Sequence, residues 1–284
     1  MTPGRAGTVR VLAAAVAGAA ATRCARLHLG AAPPGGVERW MRLNHRGEPI
    51  SLLEGPAIIA GLLVGAAVGG PDLATGAAAL IATSGGAGFG LVDDLAEGHW
   101  TRRKGIRGHL GALARGDLTT GGLKVIGISL SSLAAAALVT ERRRGRAGWF
   151  GDVLVSGALI AASANVVNLL DLRPGRALKA VALVAGPLAM GSSASSGLAA
   201  AALGASAAAL PGDLAETDMM GDGGANALGA LLGLAIVNSA PRAVRLVVLA
   251  GLVGLTAASE RTSFTTLIES TPGLRELDGW GRRA

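Results

Sequence analysis

Twenty residues without a charged side chain, LATGAAALIATSGGAGFGLV, run from Leu73 to Val92, between Asp72 and Asp93. A second uncharged stretch runs from Val153 to Leu170. A helix needs about 20 mainly apolar residues to cross the hydrocarbon core of a bilayer, which is about 30 Å thick. Both stretches therefore predict membrane-spanning helices.

The composition extends this prediction to the whole chain. Half of the 284 residues are apolar, the mean hydropathy is +0.49, and only 16% of the residues are charged. A soluble domain rarely combines these values. The net charge is +7, but Lys and Arg flank the apolar stretches, where topology and anionic lipid headgroups explain them better than nucleic acid does. With no Tyr and few aromatic residues, the chain also offers little for stacking on bases, so no nucleic-acid partner is expected.

The pattern of apolar and charged segments predicts an all-α, polytopic integral membrane protein with a single transmembrane domain over residues 1–284. About nine spans are predicted, at 7–26, 52–70, 73–92, 122–140, 152–170, 178–191, 195–211, 224–240 and 243–259. The sixth and seventh spans are the least clear, because 33 uncharged residues separate Lys179 from Asp213. The turn-like segment GSSASSG at 191–197 favours two short helices over one long helix.

The first span has a competing interpretation. Arg5 and Arg10 precede an uncharged run of only 12 residues, from Val11 to Thr22, which also resembles the apolar core of a signal peptide. We favour a retained helix that extends past Arg23 and Arg26, because these side chains can direct their charged groups to the membrane surface.

The distribution of Lys and Arg predicts the orientation in the membrane. One set of connecting segments comprises 23–51, 93–121, 171–179, 212–223 and 260–284. With the nearby Lys124, this set holds 18 of the 26 Lys and Arg residues. The positive-inside rule therefore places it in the cytoplasm, with the N-terminus outside and the C-terminus inside. The basic segment from Glu141 to Arg146 lies on the other side and conflicts with this bias.

Four carboxylates lie where predicted spans end: Asp93, Asp94, Asp171 and Asp222. Two spans separate Asp94 from Asp171, and two more separate Asp171 from Asp222 if residues 180–212 cross twice. All four side chains then share the cytoplasmic side. Any one of them is most simply a helix cap or a solvated charge, but four on one side favour a functional site. Hard carboxylate oxygens without clustered His or Cys favour Mg²⁺, with Mn²⁺ as an alternative.

Polar neighbours strengthen this interpretation. Asn165, Asn168 and Asp171 are spaced three residues apart and share one helix face. The glycine-rich opening of the eighth span, Gly221-Asp222-Gly-Gly, can present backbone N–H groups to a phosphate oxygen. Basic side chains nearby can neutralise phosphates, although such a cluster is also a common topology signal and His109 can simply be interfacial. They are Arg102, Arg103, Lys104, Arg107, His109 and Lys124.

Two glycine patterns have structural interpretations. The segment Gly85-Gly-Ala-Gly-Phe-Gly90 is not interpreted as a dinucleotide fingerprint, because it ends a hydrophobic span and does not follow a strand. Gly61, Gly65 and Gly69 are four residues apart, a spacing that lets transmembrane helices approach closely. The partner helix is expected in the same chain or in another copy, so a homodimer is possible.

Three motifs together carry a family resemblance: Gly90-Leu-Val-Asp93-Asp94, the Asn-x-x-Asn-x-x-Asp stretch from Asn165 to Asp171, and Gly221-Asp222-Gly-Gly. In this order, and over roughly residues 40–280, the chain resembles the polyprenyl-phosphate N-acetylhexosamine-1-phosphate transferases, the MraY- and WecA-like group. The resemblance implies a multi-pass protein of the cell membrane whose active site faces the cytoplasm. It also implies transfer of a sugar 1-phosphate from a UDP-N-acetyl sugar to a membrane polyprenyl phosphate, which initiates a cell-envelope glycan.

The same resemblance implies roles for the site residues. Asp222, with Asp94, would ligate Mg²⁺, while Asp93 and Asp94 would position or deprotonate the lipid phosphate or help to hold the metal ion. Lys124 would contact a phosphate. Asn168 and Asp171 would line the nucleotide site. Apart from the resemblance, Asn165 is predicted to bind substrate because it shares their helix face, and Lys104 and His109 because they belong to the basic cluster.

The chain departs from the family pattern near its C-terminus. Residues 259–284 contain no His, whereas family members commonly carry a His-rich motif in the last cytoplasmic loop. A non-catalytic paralogue, which binds lipid phosphate or regulates envelope synthesis on the same scaffold, is therefore the alternative hypothesis. A transporter that couples cations through the same acids is a third, although transporter sites usually lie at mid-membrane and not at span ends.

Overall fold

The computed structural model describes residues 4–96, 120–142, 145–193 and 195–283. The main helices are α1 (Arg5–Ala31), α2 (Glu54–Gly69), α3 (Leu73–Ala96), α4 (Thr120–Val139), α5 (Gly145–Leu170), α6 (Arg176–Met190), α7 (Ser196–Leu214), α8 (Gly221–Ser239) and α9 (Arg242–Ser259). Two short helices follow, α10 (Phe264–Ser270) and α11 (Leu274–Gly279). Between α1 and α2 lie a 3₁₀ turn (Val37–Trp40) and an antiparallel pair of strands, β1 (Met41–Leu43) and β2 (Pro49–Ser51).

The described chain is mostly helical, and each of the nine predicted spans coincides with one helix. Six helices of the described part of the chain, α1, α3, α4, α5, α7 and α9, are long and apolar enough to cross a membrane. The apolar helix α2 is shorter. These features confirm a mostly helical fold and are consistent with a membrane-embedded protein. The number of crossings and their orientation stay predictions, and the β1–β2 pair is an unpredicted departure from an all-α chain.

Helix α8 forms the centre of the bundle, where almost all of its residues are buried. Glycine allows α3 to pack against it at close range. A Cβ atom built on Gly86 would lie 2.7 Å from the backbone carbonyl of Asn226 in α8, closer than real Cβ contacts. The glycine-rich segment 85–90 is therefore part of a helix–helix contact. It is helical and does not form the loop after a strand that a dinucleotide fingerprint requires.

The glycine series of α2 packs within the same chain. A Cβ on Gly61 would collide with Thr22 in α1, and one on Gly65 would lie 2.7 Å from the Cβ of Ala201 in α7. Gly69 meets the backbone of Gly197, also in α7. These glycines therefore join α2 to α1 and α7, and they give no support to a homodimer.

One end of the bundle, here called the acidic end, collects Asp93, Asp94, Asp213, Asp222 and the turn that starts at Asp171. Hydrogen bonds and ion pairs join the final turns of α3 and α7 to the segments that begin α4, α6 and α8. The β1–β2 pair packs at this end: the backbones of Ser51 and Met219 are hydrogen-bonded, at 2.8 Å, and Arg42 donates to the backbone carbonyl of Asp94 at 2.6 Å. The opposite end is held by contacts such as Arg242–Asp152, at 2.9 Å.

The C-terminal segment also docks at the acidic end, on the turn after Asp171. Arg176 makes two hydrogen bonds to the carboxylate of Asp278, at 2.8 and 2.9 Å, and both side chains are buried. Lys179 donates to three backbone carbonyls of the segment, those of Leu277, Asp278 and Trp280. Burial of the Asp278 carboxyl opposes its ionisation, but the guanidinium groups of Arg176 and Arg282 outweigh burial, so the pKa of Asp278 lies below its usual value.

Candidate active site at the acidic end of the bundle

Lys124 joins three helices at the centre of the site. From the second turn of α4, its ammonium Nζ lies 2.9 Å from Oδ2 of Asp93, at the end of α3. The same nitrogen also bonds Oδ2 of Asp222, in the first turn of α8. The three side chains are mostly buried, at 16%, 22% and 31% exposure. The structure therefore brings together two predicted acids and the predicted lysine.

Asp94 faces a different group from its neighbour Asp93. Its Oδ1 accepts a hydrogen bond from the backbone N–H of Asp222 at 2.9 Å, and its Oδ2 accepts one from Gly223 at 2.8 Å. The first N–H groups of a helix have no partner within the helix, and the helix dipole favours a negative charge there. Asp94 therefore anchors the start of α8, and with it the carboxylate of Asp222.

Asp171 follows the last residue of α5 and is half-buried. Burial raises the pKa of its carboxyl well above the usual value, and the negative charges of Asp213, Asp222 and Asp94 raise it further. The amide of Gly221 opposes this shift. Asp171 thus belongs to the same electrostatic cluster as the other predicted acids, in an environment that disfavours its charge.

Two buried acids of this cluster were not predicted as site residues. Asp213, 4% exposed, accepts a hydrogen bond from the Gly175 N–H at 3.1 Å. Glu54, 2% exposed, has no hydrogen-bond partner for either oxygen among the described residues. Glu54 carries the one charge inside the predicted span 52–70, which is the signal that could have identified it, because an ionisable group in a span is costly.

The predicted asparagines differ in their surroundings. The Asn165 side chain donates to the Thr256 hydroxyl at 3.0 Å and thereby joins α5 to α9. This contact favours a structural role over the predicted substrate contact. The carbonyl of Asn168 accepts a hydrogen bond from the Asp171 N–H at 3.2 Å, at the end of α5. The predicted substrate residues Lys104 and His109 lie outside the described residues.

The donor set suits Mg²⁺ only in part. Within the described ranges, no group of three or more His, Cys, Asp or Glu side chains is arranged to hold a metal ion. Asp93 and Asp222, however, direct one carboxylate oxygen each at a single cation, the Lys124 ammonium. Mg²⁺ commonly takes one or two protein carboxylates and completes its shell with water and phosphate oxygens. This pair therefore fits Mg²⁺ better than the predicted pair of Asp222 and Asp94, because backbone amides already occupy the Asp94 oxygens.

An apolar groove runs along the bundle between α5, α6, α8 and α9. Its volume is about 650 Å³, and Ser163 and Ser239 are the lining residues with polar side chains. Leu170, which precedes Asp171, lines the groove at the acidic end, and Pro241 lines it towards the opposite end. The groove can hold an apolar chain, and its lining residue Leu170 is the sequence neighbour of Asp171.

Comparison with protein families and with curated proteins gives no indication of family. No family model matches the chain, and no curated protein matches it. Function is therefore inferred from the acidic cluster, the groove and the order of the sequence motifs.

Proposed function

We propose that the protein is a Mg²⁺-dependent phosphoglycosyl transferase of the cell membrane, with its active site facing the cytoplasm. It transfers a sugar 1-phosphate from a UDP-N-acetyl sugar to a membrane polyprenyl phosphate. The observation that carries the proposal is the cluster of Asp93, Lys124 and Asp222 at the acidic end, the end towards which Leu170 lines the apolar groove. A charged site for phosphates and an apolar channel for a lipid chain are the two requirements of this reaction.

The groove supports a lipid acceptor. Its lining is almost entirely apolar, so it favours a hydrocarbon chain and excludes a charged headgroup. Helix α9, which forms one wall, has no fully buried residue, so this wall is also open to lipid. A polyprenyl chain in the groove would place its phosphate beyond Leu170, next to Asp171.

The chemistry requires charge neutralisation more than a strong base. An oxygen of the lipid phosphate, already anionic at neutral pH, attacks the β-phosphorus of the UDP-sugar. The bond from this phosphorus to the bridging oxygen breaks, and UMP leaves with that oxygen. Lys124 would neutralise phosphate charge, as in other phosphoryl transfers. Mg²⁺ held by Asp222 and Asp93 would supply further neutralisation of the diphosphate.

The other acids then have supporting roles. Asp94 would hold the start of α8 through its two amide hydrogen bonds, so that the carboxylate of Asp222 stays directed at the cation position. Asp171, which follows the groove residue Leu170 and whose pKa is raised in part by the negative charge of Asp222, would line the donor site with Asn168.

Release of UMP tests the proposal directly. Purified protein in lipid nanodiscs would be given undecaprenyl phosphate, Mg²⁺ and a panel of UDP-N-acetyl sugars. We expect UMP release, and a loss of about 100-fold or more in the Asp222→Asn variant, because a preorganised charged group contributes on this order. Asp152→Asn, which removes an acid at the opposite end, is the matched control and should keep full activity. Absence of UMP release across the whole panel would contradict the proposal.

A second candidate is a non-catalytic protein that binds polyprenyl phosphate on the same scaffold. The absence of His from residues 259–284 and the pairing of both Asp93 and Asp222 with the Lys124 ammonium favour it. It predicts saturable binding of polyprenyl phosphate without UMP release, so the same nanodisc experiment separates the two candidates.

A further inference from the structure

The cation position between Asp93 and Asp222 holds a flexible group of the protein itself. Lys124 reaches it from α4 on a four-carbon stem, while the two carboxylates come from α3 and α8. Two carboxylates that converge on one point repel each other unless a cation lies between them. The ammonium therefore stabilises the pair without any metal ion.

We propose that Lys124 and a divalent cation occupy this position in alternation, so that Lys124 competes with the metal ion for Asp93 and Asp222. Both cations need the same two oxygens, and an ammonium next to a divalent ion in a mostly buried site is repelled by it. This inference rests on the metal dependence of the proposed function, but not on the transfer reaction.

The competition has a consequence for the order of binding. A lysine displaced by the metal ion leaves a buried ammonium without its carboxylate partners, which is costly. A phosphate oxygen offers that ammonium a new partner, since Lys rotates freely on its stem and binds phosphate as a point charge. Metal ion and phosphate should therefore bind cooperatively, each making the other's binding more favourable.

Binding of Mn²⁺ to the purified full-length protein, followed by electron paramagnetic resonance, tests the competition without any turnover. The Lys124→Met variant keeps most of the unbranched side chain and removes its charge. We expect it to bind Mn²⁺ at least about tenfold more tightly than the wild type, because one neighbouring charge commonly shifts binding by this factor or more. Arg242→Met is the control: it removes the positive charge that pairs with Asp152 at the opposite end, and it should leave Mn²⁺ affinity unchanged. Asp222→Asn should abolish the binding.

A second variant keeps the test decisive if Lys124→Met does not fold. Lys124→Arg places a guanidinium that can bond both carboxylates at once, so it should bind Mn²⁺ more weakly than the wild type. Inorganic pyrophosphate should tighten Mn²⁺ binding in the wild type by more than in Lys124→Met. Equal or weaker Mn²⁺ binding by a folded Lys124→Met variant would overturn the inference, as would absence of Mn²⁺ binding in every variant.

The two proposals fail in different ways. Tighter Mn²⁺ binding by Lys124→Met without UMP release in the wild type would support the competition and contradict the transferase. UMP release by the wild type, with unchanged Mn²⁺ affinity in Lys124→Met, would support the transferase and contradict the competition.

Discussion

Asp93 and Asp94 are adjacent in the chain, but their carboxylates have different partners. Successive residues of a helix point about 100° apart, so Asp93 meets Lys124 of α4 while Asp94 meets the first amides of α8. The Asp-Asp motif identified both residues as site candidates. The motif did not show that Asp94 anchors α8 while Asp93 binds a cation. That distinction depends on where α4 and α8 begin, and both helices are distant from the motif in sequence.

At the same scale, the buried ion pair of Arg176 and Asp278 gives a prediction about pH. Asp278→Asn should lower the free energy of unfolding at pH 7 by about 3–5 kcal/mol, the range for breaking one partner of a buried pair. The pKa of Asp278 is lowered in the fold, so its stabilisation is complete above the pKa of the unfolded chain, near 3.9. The stabilisation is lost as the pH falls through the lower folded value. Thermal unfolding of the wild type and of Asp278→Asn should be measured between pH 7 and pH 3. The difference in stability between the two proteins should become smaller at the lowest pH values.

The control for this prediction is Glu269→Gln in the neighbouring helix α10. Glu269 is 58% exposed and lies 3.9 Å from its partner Arg173, so its removal should cost less than about 1 kcal/mol. Equal stability of Asp278→Asn and the wild type at pH 7 would show that the C-terminal segment does not depend on this ion pair.

At the scale of elements, the helices were predictable and some of their ends were not. Long apolar runs identify helices because a membrane requires every backbone polar group to be bonded within the segment. Charges end an apolar run, however, without ending a helix: α3 continues past Asp93 to Ala96, so these acids lie in a helix and not in the predicted loop 93–121. The strands β1 and β2 have three residues each, too few to show an alternating pattern.

The contact between α3 and α8 gives a prediction at this scale. A Cβ on Gly90 would lie 2.6 Å from the carbonyl carbon of Asp222 and 2.7 Å from the Cα of Gly223. Because these atoms belong to the backbone, Gly90→Ala should push α8 away from Asp94 and cost about 1–3 kcal/mol of stability. UMP release should fall with it, since Asp222 moves with the start of α8.

Gly88→Ala is the matched control on the same helix. Apart from the nearby backbone of α3 itself, no atom of the described residues lies within 4 Å of a Cβ built there, and alanine is a better helix former than glycine. Its melting temperature should therefore equal or exceed that of the wild type. If Gly90→Ala behaves like Gly88→Ala in stability and activity, then the close approach of α3 and α8 is not what sets the position of Asp222.

At the scale of the whole molecule, counting helix crossings was enough to predict that the four dispersed acids share one end. The structure places Asp94, Asp171 and Asp222 in one cluster, as expected if residues 180–212 form two antiparallel helices. Counting also places Asp213 and Glu54 at this end, but it could not show that their carboxyl groups are buried there, because that burial comes from the packing of helices that are distant in sequence. It also could not explain the basic segment 141–146. There, Arg142 lies 5.2 Å above the ring of Trp149, a contact that stabilises a cation without anionic lipid.

Orientation in the membrane gives the last prediction, because it decides whether the acidic end can meet a cytoplasmic nucleotide. Cys24 is the single native cysteine, so a Cys24→Ser background permits labelling of one introduced thiol at a time. Ser192→Cys lies exposed in the turn between α6 and α7, next to contacts of the opposite end. Ser270→Cys lies exposed in the C-terminal segment, which docks at the acidic end. A membrane-impermeant maleimide on intact cells should label the first variant only, and permeabilised cells should label both. The reverse pattern would place Asp93, Asp94 and Asp222 outside the cell, where no UDP-sugar reaches them, and the transferase proposal would fail with it.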